Sequence, residues 1–280
     1  MTLSNRKILR TLLCLLAGTL YAVCLSACDA KEPLSENRDA EIESPVIAND
    51  LSNQKVTAIA EDTQGHIWIG TFRGLNKNNV HDYHQYFCTD DSLGLPDNQI
   101  THLLRDSKNR FWVGTVNGVC LYTDKDNFRI IPIEADNKNV RQILEDRNGR
   151  IFLNTGFQLY AYHPREEKIT CVLPEISPGN AFYAQCHIAP DNNLWVMTST
   201  GLRCYDPSTL QLKESVALSG YPYYSYLHNN ELWITGNHTL SIFDTRTRSF
   251  KPLPQPIARN TTLCNADIDY IHPYGNNGLL

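Results

Sequence analysis

His81-Asp82-Tyr83-His84 is the one stretch of this 280-residue chain whose residue types look like a metal site. Two imidazoles this close grip a metal when a helix sets them on one face, and the surrounding pattern is not helical. An exposed polar segment between two strands is the expectation, and no metal site. Nucleophile and phosphate chemistry have no motif: there is no Gly-x-Ser-x-Gly elbow, no P-loop and no dinucleotide glycine fingerprint. Acidic residues are plentiful, but the two carboxylates of a glycosidase or lyase lie far apart in sequence, and spacing cannot pick them. None of the nine cysteines has Cys-x-x-Cys spacing, which argues against a zinc or redox centre. No catalytic residue and no cofactor are expected. Recognition by stacking and hydrogen bonding remains. Aromatic rings stack on the apolar face of a sugar, and Arg or Asn bonds its hydroxyls. Phe72, Arg73, Asn117, Phe157 and Tyr224 are the candidates for that role. Phe182, Tyr183 and Tyr223 are expected to begin strands and to belong partly to the core.

Those candidates recur at fixed places in a repeat, and the repeat positions them. Gly65-His66-Ile67-Trp68-Ile69-Gly70-Thr71 returns as Asn109-Arg110-Phe111-Trp112-Val113-Gly114-Thr115 and as Gly149-Arg150-Ile151-Phe152-Leu153-Asn154-Thr155. Asn193-Leu194-Trp195-Val196-Met197-Thr198 and Glu231-Leu232-Trp233-Ile234-Thr235 are further copies. The aromatic stands at 68, 112, 152, 195 and 233, spaced by 44, 40, 43 and 38 residues, which is the mark of a repeat architecture. In the first copy, Val56-Thr57-Ala58-Ile59-Ala60 reads as a strand. Asp62-Thr63-Gln64-Gly65 is turn chemistry, with an Asp side chain for backbone amides and a Gly for positive φ. Ile67-Trp68-Ile69 is continuously apolar, as a strand covered on both faces should be. Thr71-Phe72-Arg73-Gly74 reads as a tight hairpin, with Gly74 at a left-handed or bulge position. Leu75 to Lys77 opens a third strand, and Tyr83 to Phe87 supplies a fourth.

Four short antiparallel strands make a propeller blade, which buries both faces only by stacking on its neighbours. The expected fold is all-β: four-stranded blades over residues 51–280, about five complete and the start of a sixth. Their cores lie at Trp68, Trp112, Phe152, Trp195 and Trp233. The hairpin after the second strand and the connection to the next blade emerge on one face, so Arg73, Asn117 and Tyr224 are the leading binding candidates. Cys120 and Cys204, eight and nine residues after Trp112 and Trp195, read as small buried residues. Most of the six cysteines at 88 and beyond are expected to be free and buried.

Asp62 to Leu75 and Asp106 to Val119 closely resemble the repeat of the two-component regulator propeller family, with Asn109 in place of a glycine in the second. The resemblance covers about residues 51–280. It implies the periplasmic sensor region of a hybrid two-component histidine kinase, part of a seven-bladed propeller that senses oligosaccharides, with a dimeric full-length parent. It also implies that this chain is not itself an enzyme, the kinase being encoded downstream.

Arg6, Lys7 and Arg10 followed by the uncharged run Thr11 to Leu25 form an export signal over residues 1–27. Leu25-Ser26-Ala27-Cys28 resembles the lipobox of bacterial lipoproteins, which would lipidate Cys28 and hold the chain at a Gram-negative membrane, in the periplasm or on the outer surface. Residues 28–50 are a polar tether, and Val46-Ile47 within them could supply a ring-closing strand. The formal net charge is −5, and −8 without residues 1–27, so nucleic acid is an unsuitable partner. Asp267 to Ile271 resembles the first strand of another blade, and the next core aromatic would fall at 281, so a truncated or partial sensor is expected. Three functions follow: a sensor that binds an oligosaccharide or a partner domain, a surface lipoprotein that binds without signalling, and a propeller lyase or hydrolase. The repeat favours the first, the lipobox the second, and nothing positive favours the third.

Overall fold

A computed structural model describes residues 46–79, 81–89, 94–123, 126–176, 184–260, 267–268, 271, 273–274 and 278–279. Cys28 and residues 182–183 lie outside them. The first sheet contains β1 (Val46–Ala48), β2 (Val56–Glu61), β3 (Ile67–Thr71), β4 (Gly74–Asn79) and β5 (Asp82–Tyr86). Its order is β1-β5-β4-β3-β2, all antiparallel. The next four sheets are four-stranded meanders in sequence order. The second blade is β6 (Ile100–Arg105), β7 (Phe111–Thr115), β8 (Gly118–Thr123) and β9 (Asn127–Ile131). The third is β10 (Gln142–Glu145), β11 (Ile151–Asn154), β12 (Leu159–His163) and β13 (Lys168–Leu173). The fourth is β14 (Gln185–Ile188), β15 (Leu194–Thr198), β16 (Gly201–Tyr205) and β17 (Leu212–Ala217). The fifth is β18 (Pro222–His228), β19 (Glu231–Gly236), β20 (Thr239–Asp244) and β21 (Ser249–Lys251).

Three expectations need correction. Val46 pairs with Gln85 of β5, so β1 widens the first blade by a fifth, outermost strand rather than completing a last blade. Asp267, Ile268 and Ile271 lie in no strand; β22 (Pro273–Tyr274) pairs with β23 (Gly278–Leu279) beyond them. The third concerns the stretch from His81 to His84: His81 is an exposed turn residue between β4 and β5, as expected, but Asp82 begins β5, and His84 pairs with both Ile47 and Lys77. Among the described residues no group of three or more His, Cys, Asp or Glu could hold a metal ion. No described helix is long and apolar enough to cross a membrane.

The repeated residues each have a mechanical reason. Asp106 Oδ1 accepts from the backbone N–H groups of Lys108 and Arg110, and its Oδ2 accepts from the Trp112 indole at 2.8 Å. Asp62 does the same for Gln64, His66 and Trp68. Burial pushes the Asp62 carboxyl up, but these bonds outweigh it and hold the group below its ordinary range. The threonine that follows the core strand ties the hairpin: Thr71 Oγ1 donates to Gly74 O and accepts from Arg73 N–H. Thr115 and Thr198 repeat the pattern. Gly74 has φ +110°, which a side chain would strain. Gly70 is needed for closeness instead, because a Cβ there would lie 2.5 Å from Ile100 Cγ2 of the next blade.

Both faces of each inner blade are covered, and alternate residues serve opposite neighbours. Phe111 and Val113 pack with Trp68 against the first blade, while Trp112 packs on Ile143, Ile151 and Tyr162 of the third. Three of the five core aromatics meet an aromatic on the third strand of the following blade: Trp68 on Tyr122, Trp112 on Tyr162 and Trp195 on Phe243, at centroid distances of 4.7, 4.9 and 5.1 Å. Cys120, Cys186 and Cys204 are buried free thiols, whereas Cys88 and Cys171 are exposed, and none of these five described cysteines is in a disulfide. The unequal offsets of Cys120 and Cys204 matter, because strand side chains alternate. Cys120 packs against the preceding blade, and Cys204 belongs with Trp195 toward the following one.

Candidate functional site

The first strands of successive blades are neighbours, and their leading ends surround a cavity of about 500 Å³. Its wall is built in the same way from blade to blade. Lys55 precedes β2, Gln99 precedes β6, and Asn139 and Arg141 precede β10. Thr57, Ile100, Thr101, Gln142, Gln185 and Tyr223 belong to the five first strands, with Ala184 just before the fourth. Phe72 and Val116 come from the hairpins after the second strands of blades one and two.

Three of the lining side chains owe their direction to β-bulges. Val56 pairs with Thr71 and Ala58 with Gly70, so Thr57 has no partner opposite it. Thr101 is skipped in the same way between Ile100 and His102, and Tyr223 between Pro222 and Tyr224. A bulge inserts one residue against none, bends the strand and re-aims a side chain. Here the extra residue of three blades lines the same cavity.

The wall is also stitched. Gln142 Oε1 accepts from Cys186 N–H of the next blade at 2.9 Å and from Asn154 Nδ2 at 2.8 Å. Gln185 Oε1 accepts from Ser225 N–H and Oγ one blade further on. Thr101 Oγ1 donates to Val140 O. Lys55 has its own backbone fixed, with its carbonyl accepting from Phe72 N–H at 2.9 Å, and its ammonium sits 4.5 Å from the Phe72 ring centroid. Asn139 Oδ1 is buried without a hydrogen-bond partner. His102 and His187 are half-buried on β6 and β14, and loss of solvent around the rings pushes both imidazoles down to about 4. His187 Nε2 meets Ser225 Oγ at 2.8 Å, while His102 Nδ1 has no partner.

Of the residues singled out by sequence, Phe72 lies at the cavity and is 44% exposed. Arg73 and Asn117 are exposed on the same hairpins, next to lining residues Phe72 and Val116, but are not lining residues themselves. Phe157 is exposed after β11 and Tyr224 is half-buried on β18; neither is in the lining. Tyr223, assigned partly to the core, is half-buried and lines the cavity. Sequence reasoning missed Lys55, Thr57, Thr101 and Arg141, and the four amides Gln99, Asn139, Gln142 and Gln185. Their one shared signal is position: each lies 11 to 13 residues before its blade's core aromatic, or within three residues of that window.

Five stacked antiparallel sheets, the first of five strands and the others of four, around a cavity define a β-propeller. Residues 50–73 and 94–117 match the family model described as two component regulator propeller, so these two stretches are similar to that repeat. Among solved structures, it is similar to virginiamycin B lyase from Staphylococcus aureus, with 18% identity and a TM-score of 0.57 over 76% of this chain and 75% of that one. It is also similar to the extracellular domains of two hybrid two component systems from B. thetaiotaomicron. Identity is 15% with a TM-score of 0.46 for one, and 18% with 0.45 for the other. They cover 78% and 84% of this chain, which spans 38% and 40% of their lengths. At 18% identity the likeness to the lyase is one of fold alone. No curated protein sequence matches the chain.

Proposed function

We propose that this propeller is the ligand-binding part of an extracytoplasmic sensor and that its ligand is an oligosaccharide. The observation that carries the reading is the cavity wall: two aromatic rings, Phe72 and Tyr223, among four amides and two threonine hydroxyls. Rings that can stack and groups that both donate and accept are what a sugar ring with its hydroxyls requires. The described lining holds no Asp, Glu, His or Cys, which supports binding over turnover. Arg73 and Asn117 extend the same face at its rim. The family repeat supports a place in two-component signalling, and a lipid on Cys28 would hold the protein at the membrane.

Calorimetry of the exported chain against a panel of plant, fungal and host oligosaccharides tests the reading. Phe72→Ala and Tyr223→Ala should each weaken binding at least tenfold with little change in Tm. Unaltered binding by both variants would remove the cavity from the account. Cys28→Ser should move the protein from the membrane to the soluble fraction, and retention of that variant on membranes would overturn the lipid anchor.

A further inference from the structure

We infer that the cavity selects an N-acetylated sugar, one carrying a 2-acetamido group, and that Gln142, Gln185 and Thr101 are the specificity-determining residues. The inference rests on the reading of the cavity as a saccharide site and adds the substituent that the site distinguishes.

A free side-chain amide offers a ligand both a donor and an acceptor. Gln142 and Gln185, which open β10 and β14 and line the cavity, do not. In each, both lone pairs of the carbonyl oxygen are taken. Gln142 Oε1 accepts from Cys186 N–H at 2.9 Å and from Asn154 Nδ2 at 2.8 Å. Gln185 Oε1 accepts from Ser225 N–H at 2.5 Å and from Ser225 Oγ at 3.0 Å. A backbone N–H can only donate, so the atom it meets must be the amide oxygen, and the orientation of both amides is fixed. Asn154 is fixed in the same way: its Oδ1 accepts from Gly156 N–H at 2.7 Å, which leaves Nδ2 to serve Gln142 and Ala184 O. What Gln142 and Gln185 can offer a ligand is therefore N–H alone. One N–H of Gln142 reaches Cys186 O at 3.4 Å and the other is spare, while Gln185 Nε2 has no hydrogen bond among the described residues.

Thr101 is committed in the opposite sense. Its single hydroxyl proton goes to Val140 O, two residues before Gln142, so toward the cavity its oxygen can only accept. Fixed donors and a fixed acceptor discriminate by direction. A sugar hydroxyl turns its proton to suit either and gains nothing from the fixing. An amide cannot turn: its carbonyl accepts and its N–H donates. The acetamido carbonyl meets the N–H groups of Gln142 and Gln185, and the acetamido N–H meets Thr101 Oγ1. Its methyl needs an apolar surface, and Ala184, next to Gln185, lines the same cavity with Ile100 and Val116 of the second blade. The two donors are held by the backbone of the following blade before any ligand arrives, so binding orders little that was mobile.

Gln142→Glu and Gln185→Glu keep an oxygen for the Cys186 and Ser225 N–H groups and replace the amide nitrogen by a second oxygen. The donor is lost and the bond between blades stays. Calorimetry of the exported chain and of each variant uses two pairs of disaccharides that differ only in acetamido for hydroxyl: N-acetyllactosamine with lactose, and diacetylchitobiose with cellobiose. The acetylated member of at least one pair should bind at least tenfold more tightly. That preference should vanish in each variant, with Tm close to that of the unaltered chain. Raising salt from 50 to 300 mM should leave binding of the acetylated ligand unchanged, because the groups that meet are uncharged. Lactose and cellobiose bound as tightly as their acetylated counterparts would overturn the acetamido inference and leave the saccharide reading standing. A preference that survives in both variants would remove Gln142 and Gln185 from the role given to them. No binding by any of the four would overturn the acetamido inference, and the wider oligosaccharide panel then decides the saccharide reading by itself. Should Gln185→Glu unfold the fifth blade, Gln142→Glu and the two sugar pairs still decide.

Discussion

A single carboxylate and a single indole, six residues apart, form the smallest unit on which these blades depend, and the chain contains both halves of a natural deletion experiment. Asp62 with Trp68 and Asp106 with Trp112 are complete pairs. The third blade keeps Asp146 and has Phe152, and Asp146 Oδ2 is buried without a partner. The fourth keeps Trp195 and has Ala189 at the carboxylate's place, and Trp195 Nε1 is buried without one. The turn itself survives the loss, since Ala189 N–H still donates to Asn193 O at 2.9 Å, much as Asp146 N–H donates to Arg150 O at 3.0 Å. A buried polar group without a partner is a net destabilisation of ~1–3 kcal/mol. Ala189→Asp should therefore stabilise the protein by about 1 kcal/mol, read as a higher urea midpoint at unchanged slope. Asp106→Ala, which removes acceptors from Lys108, Arg110 and Trp112 together, should cost about 3 kcal/mol. A lower midpoint for Ala189→Asp would mean that the fourth blade has closed over the vacated space.

Among the elements, the second strands and their hairpins were legible in the sequence and the leading ends of the first strands were not. The reason is where the information sits. A core aromatic between two apolar residues, an Asp four to six residues earlier and a Thr-x-x-Gly hairpin are local causes, visible in one stretch of chain. A bulge is a property of pairing between two strands. Thr57, Thr101 and Tyr223, two hydroxyl residues and an aromatic one, share no residue type that marks the position, yet all three are the skipped residue of their strand. The cavity was missed for that reason, and Tyr223 was assigned to the core where Tyr224 was preferred as a binder. The opposite faces of Cys120 and Cys204 were missed on a one-residue difference in offset, which alternation turns into a change of neighbour. The amides that join blades were likewise invisible, because their partners lie about 40 residues away. Gln185 illustrates the consequence: it accepts from the N–H and the hydroxyl of Ser225, which is buried at the start of the fifth blade. Gln185→Ala should leave that N–H unsatisfied and cost about 2 kcal/mol, with the fifth blade losing hydrogen-exchange protection ahead of the others. Uniform loss of protection across all five blades would show instead that the blades unfold as one unit.

At the scale of the whole molecule, four blade-to-blade interfaces are alike and the leading face of the first blade is not. Ile67 and Ile59 lie on it, and Ile59 is 66% exposed. Blades two to five carry Tyr122, Tyr162, Tyr205 and Phe243 opposite the residue that precedes the core aromatic, whereas the first blade has Asn78 there, the residue in register with Ile67 in the continuation of the β3–β4 ladder. The stability of the assembly therefore rests on the interior interfaces, and two of these hold a half-buried histidine on a first strand. His102 and His187 are both held neutral, with values near 4 against an ordinary 6.5. Unfolding releases them to bind protons between those limits, so stability is fully present above pH 6.5 and falls as pH drops toward 4. Each contributes up to about 2 kcal/mol of that fall by pH 5. The paired carboxylates Asp62 and Asp126 have lowered values and matter only in more acidic solution. Urea midpoints should therefore drop between pH 7 and pH 5, before carboxylate protonation begins. His102→Gln should remove about half of that drop and His102→Gln/His187→Gln most of it, whatever either substitution does to stability at pH 7. A wild-type midpoint that stays level from pH 7 to pH 5 would place both imidazoles in contact with water and would open the wall of the cavity at its second and fourth blades.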